Sequence, residues 1–307
     1  MPSRRTFLTR SLQASGLLLA GGFPLSALAA TGGTKLTILH TNDVHSRLEP
    51  FPNVEGEKFA GQGGVAARAA LIDKIRREED HVLLFDCGDI FQGTPYFNLY
   101  KGEPEIKAMS LMGYDAATMG NHDFDAGVEG FAAQLPNANF PILCSNYEFL
   151  RTALEGKTQP YKVFRKGPVK VGVFGLGIQL KGLVADDACK GVHYLEPTRI
   201  AQQMADKLRK DEGCHLVVCL SHLGYEYNSR KVSDKVLAKE TDGIDLILGG
   251  HTHTFLDEPT VLTNKSGKEV LIHQVGWAGL RLGRIDIYFD DKPAPKSVAS
   301  AALPILK

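Results

Sequence analysis

Five short polar clusters, each directly behind a run of apolar residues, constrain this chain more than any other feature. Leu36–Leu39 runs into His40-Thr41-Asn42-Asp43-Val44-His45, and Val82–Phe85 into Asp86-Cys87-Gly88-Asp89. Ala116–Met119 runs into Gly120-Asn121-His122-Asp123-Phe124-Asp125, Leu216–Leu220 into Ser221-His222-Leu223-Gly224, and Leu246–Leu248 into Gly249-Gly250-His251-Thr252-His253. Most of the apolar runs are nearly continuous, the pattern of strands buried on both faces. Pro141–Leu143 and Val169–Phe174 read the same way. Between the runs, 65–78, 104–112 and 198–210 carry apolar residues at helical spacing, with Pro104 suited to a first turn and Thr198 to an N-cap. The alternation predicts an α/β fold. In open α/β sheets ligands gather beyond the carboxyl ends of strands, where all five clusters fall. Leu271–Asp290 reads as two closing strands with a break around Gly276–Gly279, and residues 291–307, rich in Ala, Ser and Pro, as a loose tail.

The clusters hold metal-ligand chemistry. Asp43 and His45 stand two apart, as do His251 and His253, so each pair can point one way from extended backbone. With Asp86, Asn121 and His222 they make two carboxylates, one amide oxygen and four imidazoles. One ion needs three or four donors. Seven suit two ions with one carboxylate shared, and mixed nitrogen and oxygen ligands suit Mn, Fe, Zn or Co better than Ca or Mg. Taken singly, each cluster also reads as a polar loop. The specificity lies in five of them, in chain order, beside glycines that let backbone and ions approach closely. Cys87 reads as a small residue packed under its loop, and His40 has no assignable role.

Composition narrows the class. Thirty-five Lys and Arg balance thirty-five Asp and Glu, so no basic excess favours nucleic acid and no acidic excess favours disorder. The balance includes a leader. Arg4-Arg5 followed by Phe7-Leu8, a short apolar stretch and Ala27-Leu28-Ala29 form a twin-arginine export pattern, cleaved after residue 29. The stretch is too short and too interrupted, by Gly21, Gly22 and Pro24, to serve as a stable membrane anchor. Without residues 1–29, 32 bases face 35 acids. The five cysteines, 87, 144, 189, 214 and 219, are odd in number and irregularly spaced, which excludes a disulfide scaffold.

Together the clusters resemble those of the calcineurin-like metallophosphoesterases, and most closely the catalytic domain of the 5′-nucleotidase family. The closer likeness rests on LHTNDVH (Leu39–His45), DCGDIFQGTP (Asp86–Pro95), MGYDAATMGNHDFD (Met112–Asp125) and LGGHTH (Leu248–His253). It covers roughly residues 35–290. The resemblance implies a single-domain, four-layer αββα sandwich. It implies one ion held by Asp43, His45, Asp86 and His253, and a second by Asp86, Asn121, His222 and His251. Some relatives have Gln where this chain has His253. His122 matches the catalytic histidine and Asp125 the carboxylate that orients it, with Asp89 a candidate for supporting the ligands from behind.

The expected chemistry is in-line displacement at phosphorus by an activated water, with two divalent ions as clamp and His122 as the acid for the leaving oxygen. The expected substrate is a small phosphate monoester, nucleotides first, and the expected location periplasmic or secreted. Family members that hydrolyse nucleotides carry a second, C-terminal domain with base-stacking aromatics and phosphate-binding arginines. This chain stops after the catalytic domain, so a separately encoded C-terminal domain is an expected partner. Two alternatives stay open. One is hydrolysis of a related bond, in a cyclic nucleotide, a nucleotide-sugar pyrophosphate or a sulfate ester. The other is a metal-binding subunit of a two-chain nucleotidase.

Overall fold

The computed structural model describes residues 33–290 and 295–306; the expected export signal lies outside them. Strand β1 (Thr34–Thr41) leads through helix α1 (Val65–Glu78) to β2 (Val82–Asp86), then through α2 (Pro95–Tyr100) and α3 (Glu103–Met112) to the short β3 (Ala116–Ala117). A 3-10 turn (His122–Phe124), α4 (Gly127–Gln134) and β4 (Tyr147–Glu148) follow. The second half runs β5 (Tyr161–Lys166), β6 (Val169–Leu176), β7 (His193–Tyr194), α5 (Pro197–Asp206), β8 (Leu216–Ser221), α6 (Asp234–Glu240) and β9 (Leu246–Gly249). β10 (Thr260–Thr263), β11 (Glu269–His273), β12 (Arg281–Phe289) and β13 (Pro295–Pro304) close the chain.

Two sheets result, in the orders β13-β12-β1-β2-β3 and β10-β11-β9-β8-β6-β5, with β4 and β7 pairing apart. Period-two geometry divides each apolar run between two cores. Leu216, Val218 and Leu220 of β8 join Leu36 and Ile38 of β1 in the core between the sheets. Val217 and Cys219 face the other way, onto Ile200 and Ala201 of α5 and Leu237 of α6. On the first sheet's outer face, Leu39 and Leu84 meet Ile72 of α1, Ile106 and Met109 of α3 and Phe131 of α4. Helices, sheet, sheet and helices make the expected four-layer αββα sandwich. Among the described residues no helix is long and apolar enough to cross a membrane.

Three expectations are corrected. Residues 295–304 are a strand, not a loose tail: β13 pairs antiparallel with the whole of β12, and Ile305 beyond it is 1% exposed in the core. Its Ala and Ser residues carry little strand propensity, so the tertiary pairing decides. Pro141–Leu143 forms isolated bridges, Ala117 to Ile142 and Leu143 to Gln159, rather than a strand. Helix α5 starts one residue earlier than Thr198, with Glu196 as its cap accepting from the Thr198 and Arg199 N–H groups.

Candidate active site

Beyond the carboxyl ends of β1, β2, β3, β8 and β9, the five polar clusters meet at one place between the two sheets. The backbone there is bent hard. Asp43, His45, Ser46, Asp89, His251 and His253 all have φ between 50 and 71°, in the left-handed region that side chains other than Gly enter at a cost. Asp43 and His45, like His251 and His253, therefore converge from left-handed turns and not from the extended backbone that their spacing of two suggests. Cross-loop hydrogen bonds hold the strain: the Asp43 N–H to the Gly88 carbonyl, the His45 N–H to Asp89, the Ser46 N–H to Ile90, and the Ala278 N–H to Asp43. Glycine is required where the loops touch. A Cβ on Gly88 would lie 2.4 Å from the Gly120 nitrogen, and one on Gly120 would lie 2.2 Å from an Asp89 carboxylate oxygen.

Two donor groups form. In the first, single ligand atoms of Asp43, His45, Asp89 and His253 lie within 4.8 Å of one another; in the second, those of Asp89, His222 and His251 do. Asp89 is common to both. It lies 3.1 Å (Oδ2) from His222 Nε2 and 3.9 Å from His45 Nε2. Burial works against its charge, but His222, His45 and His122 hold its carboxyl well below the usual range.

Asp86, expected to be the shared carboxylate, is not in either group. As the last residue of β2 it sits opposite Thr41 of β1, and its oxygens accept from Thr41 Oγ1 at 2.6 Å and from the Gly88 N–H at 2.9 Å. Burial pushes it up to about 7, partly offset by those two bonds. Ligands of this centre lie beyond the strand ends, and Asp86 is still inside one. Asp89, three residues on and past the Gly88 turn, takes the place expected of it.

The remaining donors are poised for a cation. His222 Nδ1–H donates to the Cys87 carbonyl at 2.6 Å, and its buried Nε2 and the buried Asn121 Oδ1 have no hydrogen-bond partner. A bare Nε2 lone pair facing Asp89 is repulsive unless a proton or a cation intervenes. Burial opposes protonation of His222, but Asp89 and Asp43 raise it to about 10. His45 is arranged alike: Nδ1–H donates to the Phe91 carbonyl, leaving Nε2 3.0 Å from His253 Nε2. Burial and then His222 lower His251 to about 4, so it is an unprotonated donor. The donor set therefore fits divalent cations of the borderline kind.

At the edge of the same site, His122 Nδ1 is 2.9 Å from Asp125 Oδ2, and its backbone N–H donates to Asp89 Oδ1 at 2.7 Å. The bond to Asp125 raises the His122 pKa against the effect of burial. A cleft of about 270 Å³ opens over His45, His122 and His253, walled by Arg47, Gln92 and Trp277.

The sequence reading missed Asp123. Its fully buried carboxylate accepts from four backbone N–H groups: Asp89 and Gly120 on Oδ2, Ile90 and Phe91 on Oδ1, at 2.8–3.2 Å. It thus clamps the loop of Asp89 to the loop of Asn121 and His122. Only its place in the cluster after β3 could have drawn attention to it. Two other residues find their places. Cys87 packs in the core between the sheets, where burial raises its thiol. His40 bridges the sheets through a 2.8 Å contact from Nε2 to His273 Nδ1.

A model of the calcineurin-like phosphoesterase family matches residues 36–255. The chain belongs to that family. A snake venom 5′-nucleotidase from Gloydius brevicauda is 35% identical over 94% of this chain and 51% of its own length. A 5′-nucleotidase from Bos taurus is 36% identical over 84% of the chain and 47% of its own. The crystal structure of a 5′-nucleotidase precursor from Thermus thermophilus superposes with a TM-score of 0.80 at 35% identity, over 88% of this chain and 54% of that one. The chain spans about half the length of the curated relatives it matches. In this calcineurin-like phosphoesterase the matched segment contains every residue of both donor groups and the His122–Asp125 pair.

Proposed function

We propose that the chain is a metal-dependent phosphomonoesterase of 5′-nucleotidase type. One carboxylate, Asp89, shared by two converging donor groups beside a carboxylate-oriented histidine, is the observation that carries this reading. Asp43, His45, Asp89 and His253 would hold one divalent ion, and Asp89, Asn121, His222 and His251 another. Bound there, the ions would polarise the phosphoryl group and acidify a water.

The chain's own groups do the rest. With Nδ1 engaged by Asp125, the His122 imidazole has Nε2 left to hand a proton to the departing oxygen. The backbone bond to Asp89 fixes the ring's base beside the donors. Asp123 keeps the two loops in register, and the cleft over His45, His122 and His253 admits the ester. Nucleotides are the proposed substrate, residues 34–305, with β13 and Ile305 included, the catalytic unit, and twin-arginine export its route to the periplasm or exterior. The relatives run to about twice the matched length, and a second domain of that kind would complete the nucleotide pocket.

Full-length chain incubated with Mn²⁺ should release phosphate from 5′-AMP and from p-nitrophenyl phosphate. His122→Ala should lose about 10²–10⁴-fold in turnover while metal analysis finds two ions retained per chain. Two ions without hydrolysis of any phosphoester would instead mark a metal-binding subunit. Full activity in His122→Ala would refute the acid assignment.

A further inference from the structure

The cleft has a cation that neither donor group uses. Arg47 follows His45 by two residues, on the same bent loop, and lines the cleft with His45, His122 and His253. Its guanidinium lies 4.3 Å over the Phe51 ring. Phe51 meets Trp277 edge-on at 5.9 Å, and Trp277 lies parallel to the His253 imidazole, 9° between planes and 5.9 Å between centroids. The aromatic frame therefore links the arginine to a metal-donor histidine. Among the described residues no carboxylate pairs with Arg47: Glu49, two residues on, accepts instead from Tyr96 Oη at 2.9 Å. A half-buried guanidinium stacked on an aromatic ring, unpaired, in a cleft that also holds the metal donors is arranged for a ligand anion.

We propose that Arg47 is a substrate-binding residue supplied in cis, contacting a phosphate oxygen of the ester in the cleft. The inference rests on the phosphomonoesterase reading and deepens it. A guanidinium presents a planar fork that matches two phosphate oxygens, which an ammonium does not reproduce. That phosphate is either the group being transferred or a second phosphate attached to it, and two substrates separate the cases.

The test uses full-length chain loaded with Mn²⁺, with 5′-AMP and ADP as substrates and inorganic phosphate as inhibitor. Arg47→Ala should raise KM for AMP and the inhibition constant of phosphate about 10–100-fold, the range for losing a hydrogen bond to a charged group, with kcat changed far less. Arg47→Lys should fall between the two, since it keeps the charge and loses the fork. Melting curves establish that both variants fold. A rise confined to ADP supports the contact and assigns it to the second phosphate. Unchanged constants for all three ligands in folded variants overturn the proposal. If the wild-type chain hydrolyses neither substrate, the functional reading fails by itself. Calorimetric titration of the Mn²⁺-loaded chain with inorganic phosphate then decides Arg47: weaker binding by Arg47→Ala upholds the contact, and equal binding removes it.

Discussion

Asp123→Asn is the substitution that probes the architecture of the site most directly. The amide is the size of the carboxylate and differs in one respect: an oxygen becomes an NH2. The wild-type carboxylate receives the Asp89 and Gly120 N–H groups on one oxygen and the Ile90 and Phe91 N–H groups on the other. Asparagine can serve one of these pairs and must turn two N–H donors toward the second. The residue is fully buried, so water does not take over. Two orphaned backbone donors cost about 1–3 kcal/mol each, roughly 2–6 kcal/mol in total. At about 2–4 °C per kcal/mol for a domain of this size, the melting temperature should fall by about 5 °C or more. Burial and the neighbouring Asp89 raise the Asp123 pKa. Four donors nevertheless leave no lone pair facing away from an N–H, which is the arrangement of an ionised carboxylate.

The assay is thermal melting with EDTA and with Mn²⁺, beside circular dichroism to confirm the fold. Because Asp123 joins the Asp89 loop to the Asn121 loop, the variant should also bind Mn²⁺ about 10–100-fold more weakly, the usual loss when a group orienting a ligand is removed. A variant that melts within about a degree of wild type and holds Mn²⁺ equally well would refute the clamp.

Other outcomes follow from the same geometry. Asp89→Asn should fail to retain metal at either position, whereas Asp86→Asn should keep both ions and lose at most about 10–100-fold in affinity, as metal analysis after desalting will show. The His40–His273 pair should make the fold acid-sensitive. Burial holds His273 at about 4 and His40 well below its usual value, so the unfolded chain binds more protons as pH falls below 6.5. His273 alone should then cost about 3 kcal/mol between pH 6.5 and 4, and in urea titrations His273→Gln should flatten that slope. Glu79 should act in the opposite sense. Burial raises its pKa, but Lys35 at 2.6 Å and Arg284 at 2.5 Å outweigh burial and lower it. Its stabilisation is present above the usual glutamate range and vanishes as pH falls through the folded value, so Glu79→Gln should be less stable than wild type at pH 7 and equal to it in strong acid.

What the sequence disclosed and what it hid divide along physical lines. Central strands such as β8 are buried on both faces, and their unbroken apolar runs make them legible. The edge strands β5, β10 and β13 are not: they are half exposed and mixed in composition, and each is selected by pairing with the strand next to it in the chain, β6, β11 and β12. The donors past the strand ends were visible as residue types, and six of the seven expected lie in this site: five in the donor groups, and Asn121 by its unpartnered oxygen. The seventh, Asp86, lies outside both groups with Asp89 in its place; two carboxylates three residues apart look equivalent until one of them is known to belong to the strand. Asp123 was hidden for a different reason. Its partners are backbone N–H groups, which leave no mark in the choice of side chains.

The left-handed residues explain why this site needs so many hydrogen bonds outside its donors. A loop that turns at once after its strand keeps its side chains near the sheet end, and five of the six donor residues in the two groups, Asp43, His45, Asp89, His251 and His253, take that conformation. Each such residue costs of order 1–3 kcal/mol, and the turns bring the Asp43 and Asp89 carboxylates together away from water. Neither cost is recovered locally. The Asp43 carboxylate accepts the His251 N–H at 3.0 Å, Asn42 spans to the Gly276 carbonyl at 2.6 Å, and Gln274 holds the Gly250 carbonyl at 2.7 Å, so both sheets share the load. A centre built across two sheets in this way can be rigid only while the sheets stay packed. That is the physical reason why His40 and His273, joined across the sheets, belong to the same design as the metal donors.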